Sequence, residues 1–175
     1  FGFANMRKLW WIIIIVFLVL ILGGAIFYFT QINNIFAKKE VLEKPDVDFD
    51  LLLSDPSAQI IHEEHVEYLA NEMGAYKLHV YNDEAAVIIF EMTDINKKIA
   101  LIKEDESYAT EEIPTNYDLI VKSDQRSAGE IIESEDVSQK IVDYVEADKI
   151  EVEIISDETT LAMKGFLAIY NELMG

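Results

Sequence analysis

Residues 9–30 are apolar almost throughout and carry no charge. A helix rises about 1.5 Å per residue, so this run covers the roughly 30 Å hydrocarbon core of a bilayer. Trp10, Trp11 and Tyr28 lie near its ends, where amphipathic rings prefer the headgroup boundary. A cleaved signal peptide or a buried core helix is the alternative, although a signal peptide usually has a shorter apolar region. We therefore predict a single-pass signal-anchor after a short flank, residues 1–8.

The remaining pattern predicts a polar tether over residues 31–45 and one α+β domain over residues 46–175. Apolar positions at helical spacing predict helices over residues 57–73, 124–133, 137–146 and from 157 or 159 to 174. Alternating or short continuous apolar runs predict strands over residues 76–81, 85–92, 99–103, 117–122 and 150–154, with an acidic loop over 104–112. We expect a mostly antiparallel, five-stranded sheet covered by helices.

The last predicted helix is apolar around most of its circumference. Two neighbouring stripes carry apolar side chains: Ala162, Phe166, Ile169 and Leu173, and beside them Met163, Leu167, Tyr170 and Met174. Only Thr160, Lys164 and Asn171 form a narrow polar face. An ordinary surface helix buries a stripe of about 100° or a little more. This helix is therefore expected to be nearly engulfed, to cover a cavity, or to meet a partner.

The net charge of the predicted domain limits the kinds of molecule that it can bind. From residue 46 onward the sequence has 9 Lys or Arg against 31 Asp or Glu. Phosphate backbones and anionic headgroups repel such a surface, so nucleic acid is excluded as a partner. Lys38 and Lys39 follow the apolar run and nearly balance Arg7 and Lys8, but Arg7 and Lys8 adjoin it directly. The positive-inside rule therefore favours a cytoplasmic amino terminus and an acidic domain outside the cell membrane.

No catalytic or metal motif emerges. His62 and His65 share a helical face with Glu72, but they lack the HExxH spacing of a zinc site. The acidic loop lacks the alternating oxygen ligands and the central glycine of a calcium loop. The chain has no cysteine, no glycine-rich phosphate loop and no nucleophile motif. We expect no metal, no cofactor and no enzymatic activity.

The order of predicted elements resembles the sterol carrier protein type 2 domain family. The similarity is strongest over residues 117–121, the following helical pair, residues 149–154 and the Leu-Ala-Met-Lys stretch at 161–164. A glycine that commonly precedes the family's last strand is replaced here by Ala147-Asp148.

This resemblance implies a five-stranded sheet with helices on one face, enclosing an apolar tunnel for fatty acyl or sterol-like ligands. The positions that it places in such a tunnel are Ile131, Ile141, Val145, Phe166, Leu167 and Tyr170. Two functions remain open at this stage. One is a membrane-anchored module that binds lipid in an apolar cavity. The other is a non-enzymatic subunit of a membrane complex that docks a protein partner through the acidic domain.

Overall fold

The computed structural model describes residues 39–174. The chain divides into two units, Phe1–Ala37 and Lys38–Gly175, and the described residues belong to the second. The predicted flank, the predicted membrane helix over residues 9–30 and the first part of the tether lie outside them. Every helix within residues 39–174 is too short or too polar to cross a membrane.

The described residues form an α+β domain on a five-stranded sheet with the strand order β3-β2-β1-β4-β5. The strands are β1 (Ala86–Met92), β2 (Lys97–Lys103), β3 (Ser107–Thr110), β4 (Leu119–Ser123) and β5 (Glu151–Ile154). Three neighbouring pairs are antiparallel, whereas β1 and β4 are parallel. The α+β class is confirmed, but the expectation of a mostly antiparallel sheet is corrected to a mixed sheet. The parallel pair arises because residues 111–118 carry the chain back to the other end of the sheet before β4 begins.

The sheet buries apolar side chains on both faces. Alternate residues along a strand point to opposite faces. Ile88, Phe90 and Met92 of β1 therefore join the main core, which also holds residues of every described helix. Val87 and Ile89 point the other way and form a second cluster with Ala100, Ile102 and Ile120. No described helix contributes to this second cluster, so the helices cover one face only.

Six α-helices lie in the described part of the chain. They are α1 (Phe49–Ser54), α2 (Glu63–Glu72), α3 (Gln125–Ile132), α4 (Val137–Glu146), α5 (Glu158–Met163) and α6 (Phe166–Met174). Asp124, Asp136 and Asp157 cap α3, α4 and α5 by accepting hydrogen bonds from backbone N–H groups in the first turn. An aspartate cap satisfies donors that a helix leaves unpaired, and its charge complements the helix dipole. These caps explain why the two central helices begin within a residue of their predicted starts.

The helix predicted over residues 57–73 begins six residues late, at Glu63. The segment before this helix contacts the side chain of Gln125, which is fully buried. Its Oε1 accepts from the Ile60 N–H at 2.7 Å, and its Nε2 donates to the Ala58 carbonyl at 3.0 Å. The segment's backbone is therefore bonded to a side chain of α3 in place of a helical ladder.

The strand predicted over residues 76–81 is wrong. Ala75–Lys77 forms a 3₁₀ turn, and the His79 N–H donates to the Lys164 carbonyl at 3.1 Å instead of joining the sheet. The fifth strand comes from the predicted acidic loop, where β3 pairs with β2. Tyr108 and Thr110 supply the strand-forming residues within this loop, although acidic neighbours obscure them in the sequence.

The carboxy-terminal helix predicted as one element is two, α5 and α6, separated at Gly165. Gly165 has φ +92°, and a Cβ there would lie 2.6 Å from the Lys77 carbonyl oxygen. Only glycine fits both this backbone angle and this close approach. The break changes the phase of the apolar stripes, so Leu167 and Tyr170 are exposed while Lys164, predicted on the polar face, is buried.

Lys164 forms a buried ion pair with Asp118, the residue before β4. Its Nζ donates to Asp118 Oδ1 at 2.9 Å, to Oδ2 at 3.1 Å and to the Ala85 carbonyl at 2.7 Å. The Asp118 carboxylate also accepts from the Val87 N–H at 2.8 Å and from Ser156 Oγ at 2.7 Å. Every donor and acceptor of the pair is used, which offsets the cost of removing both charges from water.

We predict that Lys164→Met lowers the free energy of unfolding by about 3–5 kcal/mol, because it leaves the Asp118 carboxylate buried and uncompensated. Urea denaturation measures this loss. Lys122→Met is the matched control, since Lys122 pairs with Glu151 and Glu153 at the surface, and its effect should be much smaller. Equal losses in the two variants would contradict the structural role of the buried pair.

Candidate functional site

An apolar cavity of about 80 Å³ lies between the sheet and the helices. Its floor comes from β1, β4 and β5, and its roof from α2, α3 and α4. The lining side chains are apolar apart from one serine: Leu69, Met73, Phe90, Met92, Val121, Ser123, Ala128, Ile131, Ile141, Val145, Ile150 and Val152. Val145 and Val152 are 42% and 48% exposed, so they mark the mouth of the cavity.

Three of the six residues predicted to bind lipid meet at this cavity. Ile131 and Ile141 form part of its roof, and Val145 lies at its mouth. They come together because α3 and α4 pack side by side with their apolar faces toward the sheet. Lipid binding by these residues stays a prediction.

The other three predicted residues lie elsewhere. Phe166 is buried in the main core without lining the cavity. Leu167 and Tyr170 are 56% and 59% exposed. The sequence treats residues 157–174 as one helix, whereas the break at Gly165 turns these two side chains outward.

The sheet side of the cavity was absent from the sequence prediction. Phe90 and Met92 of β1 and Val121 of β4 face the helices in register, since Phe90 pairs with Val121. The sequence signal for these positions was the alternation of residues between the two faces of each strand. Without the strand order, this alternation does not say which positions face the helices.

A hydrogen bond between Tyr144 of α4 and Glu130 of α3 joins two of the three roof helices. The Lys140 and Lys149 ammonium groups lie 4.6 Å and 4.2 Å from the centre of the Tyr144 ring. The hydrogen bond to the Glu130 carboxylate raises the pKa of the Tyr144 hydroxyl to about 12. The phenol therefore stays protonated and keeps the two helices connected.

We predict that Tyr144→Phe lowers the free energy of unfolding by roughly 1 kcal/mol at pH 8, because the hydrogen bond between the roof helices is lost. The folded wild type holds the phenolic proton more tightly than the unfolded chain, whose tyrosine has a pKa near 10.0. The stabilisation is therefore complete below pH 10 and is lost as the pH rises toward 12.

Chemical denaturation of both proteins at pH 8 and pH 11 measures this effect. The ammonium–ring contacts persist in the phenylalanine variant, so their titration changes both proteins alike. The difference between the two should therefore shrink at pH 11. An unchanged difference would mean that the phenol proton does not contribute.

The two histidines near the start of α2 have structural partners. The His62 N–H donates to His65 Nδ1 at 3.2 Å, so His65 Nε2 carries the proton and donates to the Asp46 carbonyl at 2.9 Å. Both ring nitrogens of His65 are thus engaged. Glu72 pairs with Lys39 at 2.8 Å. Within residues 39–174, no three His, Asp or Glu side chains converge as a metal site requires.

No protein-family model and no curated protein matches the sequence. Among solved structures, one named "UbiJ-SCP2 Ubiquinone synthesis protein" is similar to this chain at 12% sequence identity and a TM-score of 0.36. The similarity covers 51% of this chain and 72% of that chain. Values this low assign neither a fold family nor a function to this chain.

Proposed function

We propose that the domain binds an apolar ligand, a fatty acyl chain or a sterol-like molecule, in the cavity between the sheet and the helices. The observation that carries this proposal is the cavity lining, which is apolar apart from Ser123. Ligand sites are generally apolar cavities with few polar groups. Methionine at two lining positions, Met73 and Met92, suits ligands of varied shape because its thioether chain is flexible.

Binding requires the roof to open. The cavity has a volume of about 80 Å³, whereas ligand pockets usually hold roughly 300–1,000 Å³. The mouth at Val145 and Val152 is where α4 lies beside the short edge strand β5, and separation of these two elements enlarges the cavity. The Tyr144–Glu130 hydrogen bond would restrict this movement to α3 and α4 together.

The other parts of the proposal rest on the sequence. The resemblance to sterol carrier domains supports a lipid-type ligand, and residues 9–30 would anchor the protein in the cell membrane. The placement of Arg7 and Lys8 favours an extracytoplasmic domain. A tethered domain would hold its ligand close to one membrane rather than carry it between membranes. We propose no enzymatic activity and no cofactor.

We predict that Val145→Trp weakens the binding of a fluorescent fatty acid to the full chain by at least about tenfold, because the indole fills the mouth without overpacking the core. Leu167→Trp is the matched control: it adds the same ring at a similarly exposed position on α6. Titration of the delipidated proteins measures both. No binding by the wild type, or equal weakening in both variants, would refute an acyl site in this cavity.

Exposed apolar side chains favour protein docking as the second candidate function. Ile154 of the edge strand β5 is 64% exposed, and Leu167 and Tyr170 of α6 are similarly exposed. Exposed edge strands and apolar surface are typical of sites where another chain binds. If solvent extraction of the purified protein yields no lipid and the fatty acid does not bind, protein docking replaces lipid binding as the proposed function, because the exposed apolar residues support it.

A further inference from the structure

A second cavity, of about 360 Å³, lies at the face of the sheet opposite the helices. Val87 and Ile102, which pair across β1 and β2, supply apolar lining. Residues 114–117, within the connection that returns the chain from β3 to β4, supply another part of it. The volume falls in the range of small-molecule sites, roughly 300–1,000 Å³, which the apolar cavity under the helices does not reach.

One wall of this cavity is the buried ion pair of Asp118 and Lys164, together with Ser156. The three Lys164 hydrogen bonds go to the Asp118 carboxylate and the Ala85 carbonyl, and the carboxylate accepts two further bonds. Both charges are therefore compensated within the protein. The wall therefore has no net charge, and Lys164 has no donor left for a ligand.

The exposed side of the cavity has a different electrostatic character. Glu84 and Glu104 both line the cavity and are exposed. Neither carboxylate forms an ion pair with another described residue. Lys103, the residue before Glu104, points to the other face of the sheet by strand alternation, and its Nζ donates to the Asp105 carbonyl at 3.2 Å. Within the described part of the chain, the cavity thus carries two negative charges that no ion pair compensates, beside an apolar surface.

Two tyrosine rings complete the lining. Tyr108 of β3 is 41% exposed, and Tyr117 is half-buried against the second apolar cluster. Aromatic faces attract ammonium groups, most strongly where water is partly excluded. We propose that this cavity binds a small alkylammonium cation, with its charge near Glu84 and Glu104 and its alkyl tail against Val87 and Ile102.

Calorimetric titration of the full chain with pentylamine at pH 7 tests this site, with pentanol as the uncharged ligand of the same length. We expect saturable binding of pentylamine and much weaker binding of pentanol. Glu84→Gln and Glu104→Gln should each weaken pentylamine binding by up to about fivefold, the largest loss expected of one exposed charge pair. Tyr108→Leu should weaken it as well, whereas Tyr108→Phe keeps the aromatic face and should not.

Glu135→Gln is the matched control, because Glu135 is exposed between α3 and α4 and its replacement changes the net charge equally. This variant should bind pentylamine as the wild type does. The proposal would be overturned if pentylamine does not bind or if pentanol binds equally well. It would also be overturned if Glu135→Gln weakens pentylamine binding as much as the cavity variants do, because that result indicates general attraction of a cation to an acidic protein. Val145→Trp should leave pentylamine binding unchanged. The experiments on this site and on the acyl site therefore test the two proposals independently.

Discussion

The buried ion pair between Lys164 and Asp118 holds together parts of the chain that are far apart in sequence. Through it and its hydrogen-bonding partners, the start of β1, the start of β4, the segment after β5 and the junction of α5 and α6 meet at one point. A charge removed from water is costly unless it is paired and hydrogen-bonded. Because each group here has its full set of partners, the pair favours one arrangement of these segments over others that would leave a charge unpaired.

The sheet separates two sites of opposite character, and the pair lines one of them. Helices cover one face of the sheet and leave a small apolar cavity between α3, α4 and the strands. The other face holds a larger cavity with exposed carboxylates and tyrosine rings, beside the connection from β3 to β4. Strand alternation is what allows this division, since neighbouring residues such as Val87 and Ile88 serve opposite faces. A lipid-type ligand and a small cation would therefore occupy the same domain without sharing a lining residue.

The arrangement of the roof is consistent with a site that opens. The helices α3 and α4 are short, capped by Asp124 and Asp136, and joined by the Tyr144–Glu130 hydrogen bond. The edge strand β5, by contrast, has four residues and is held on one side only. Local opening favours elements with few buried contacts. All four side chains of β5 are exposed, and Val152 of this strand lines the mouth together with Val145.

The sequence by itself determined the α+β class and the helices over residues 124–133 and 137–146, whereas Ile131, Ile141 and Val145 were placed at a tunnel by the resemblance to sterol carrier domains, and lipid binding by them stays a prediction. The two helices could be predicted because apolar residues at a spacing of three and four specify a helix and the face that it buries. Only the tertiary structure decided the parallel pairing of β1 and β4, the strand within the acidic loop, and the exposure of Leu167 and Tyr170. These features depend on contacts between distant residues. Gly165 breaks the last helix where it approaches the Lys77 carbonyl, and Lys164 is buried because Asp118 lies opposite it.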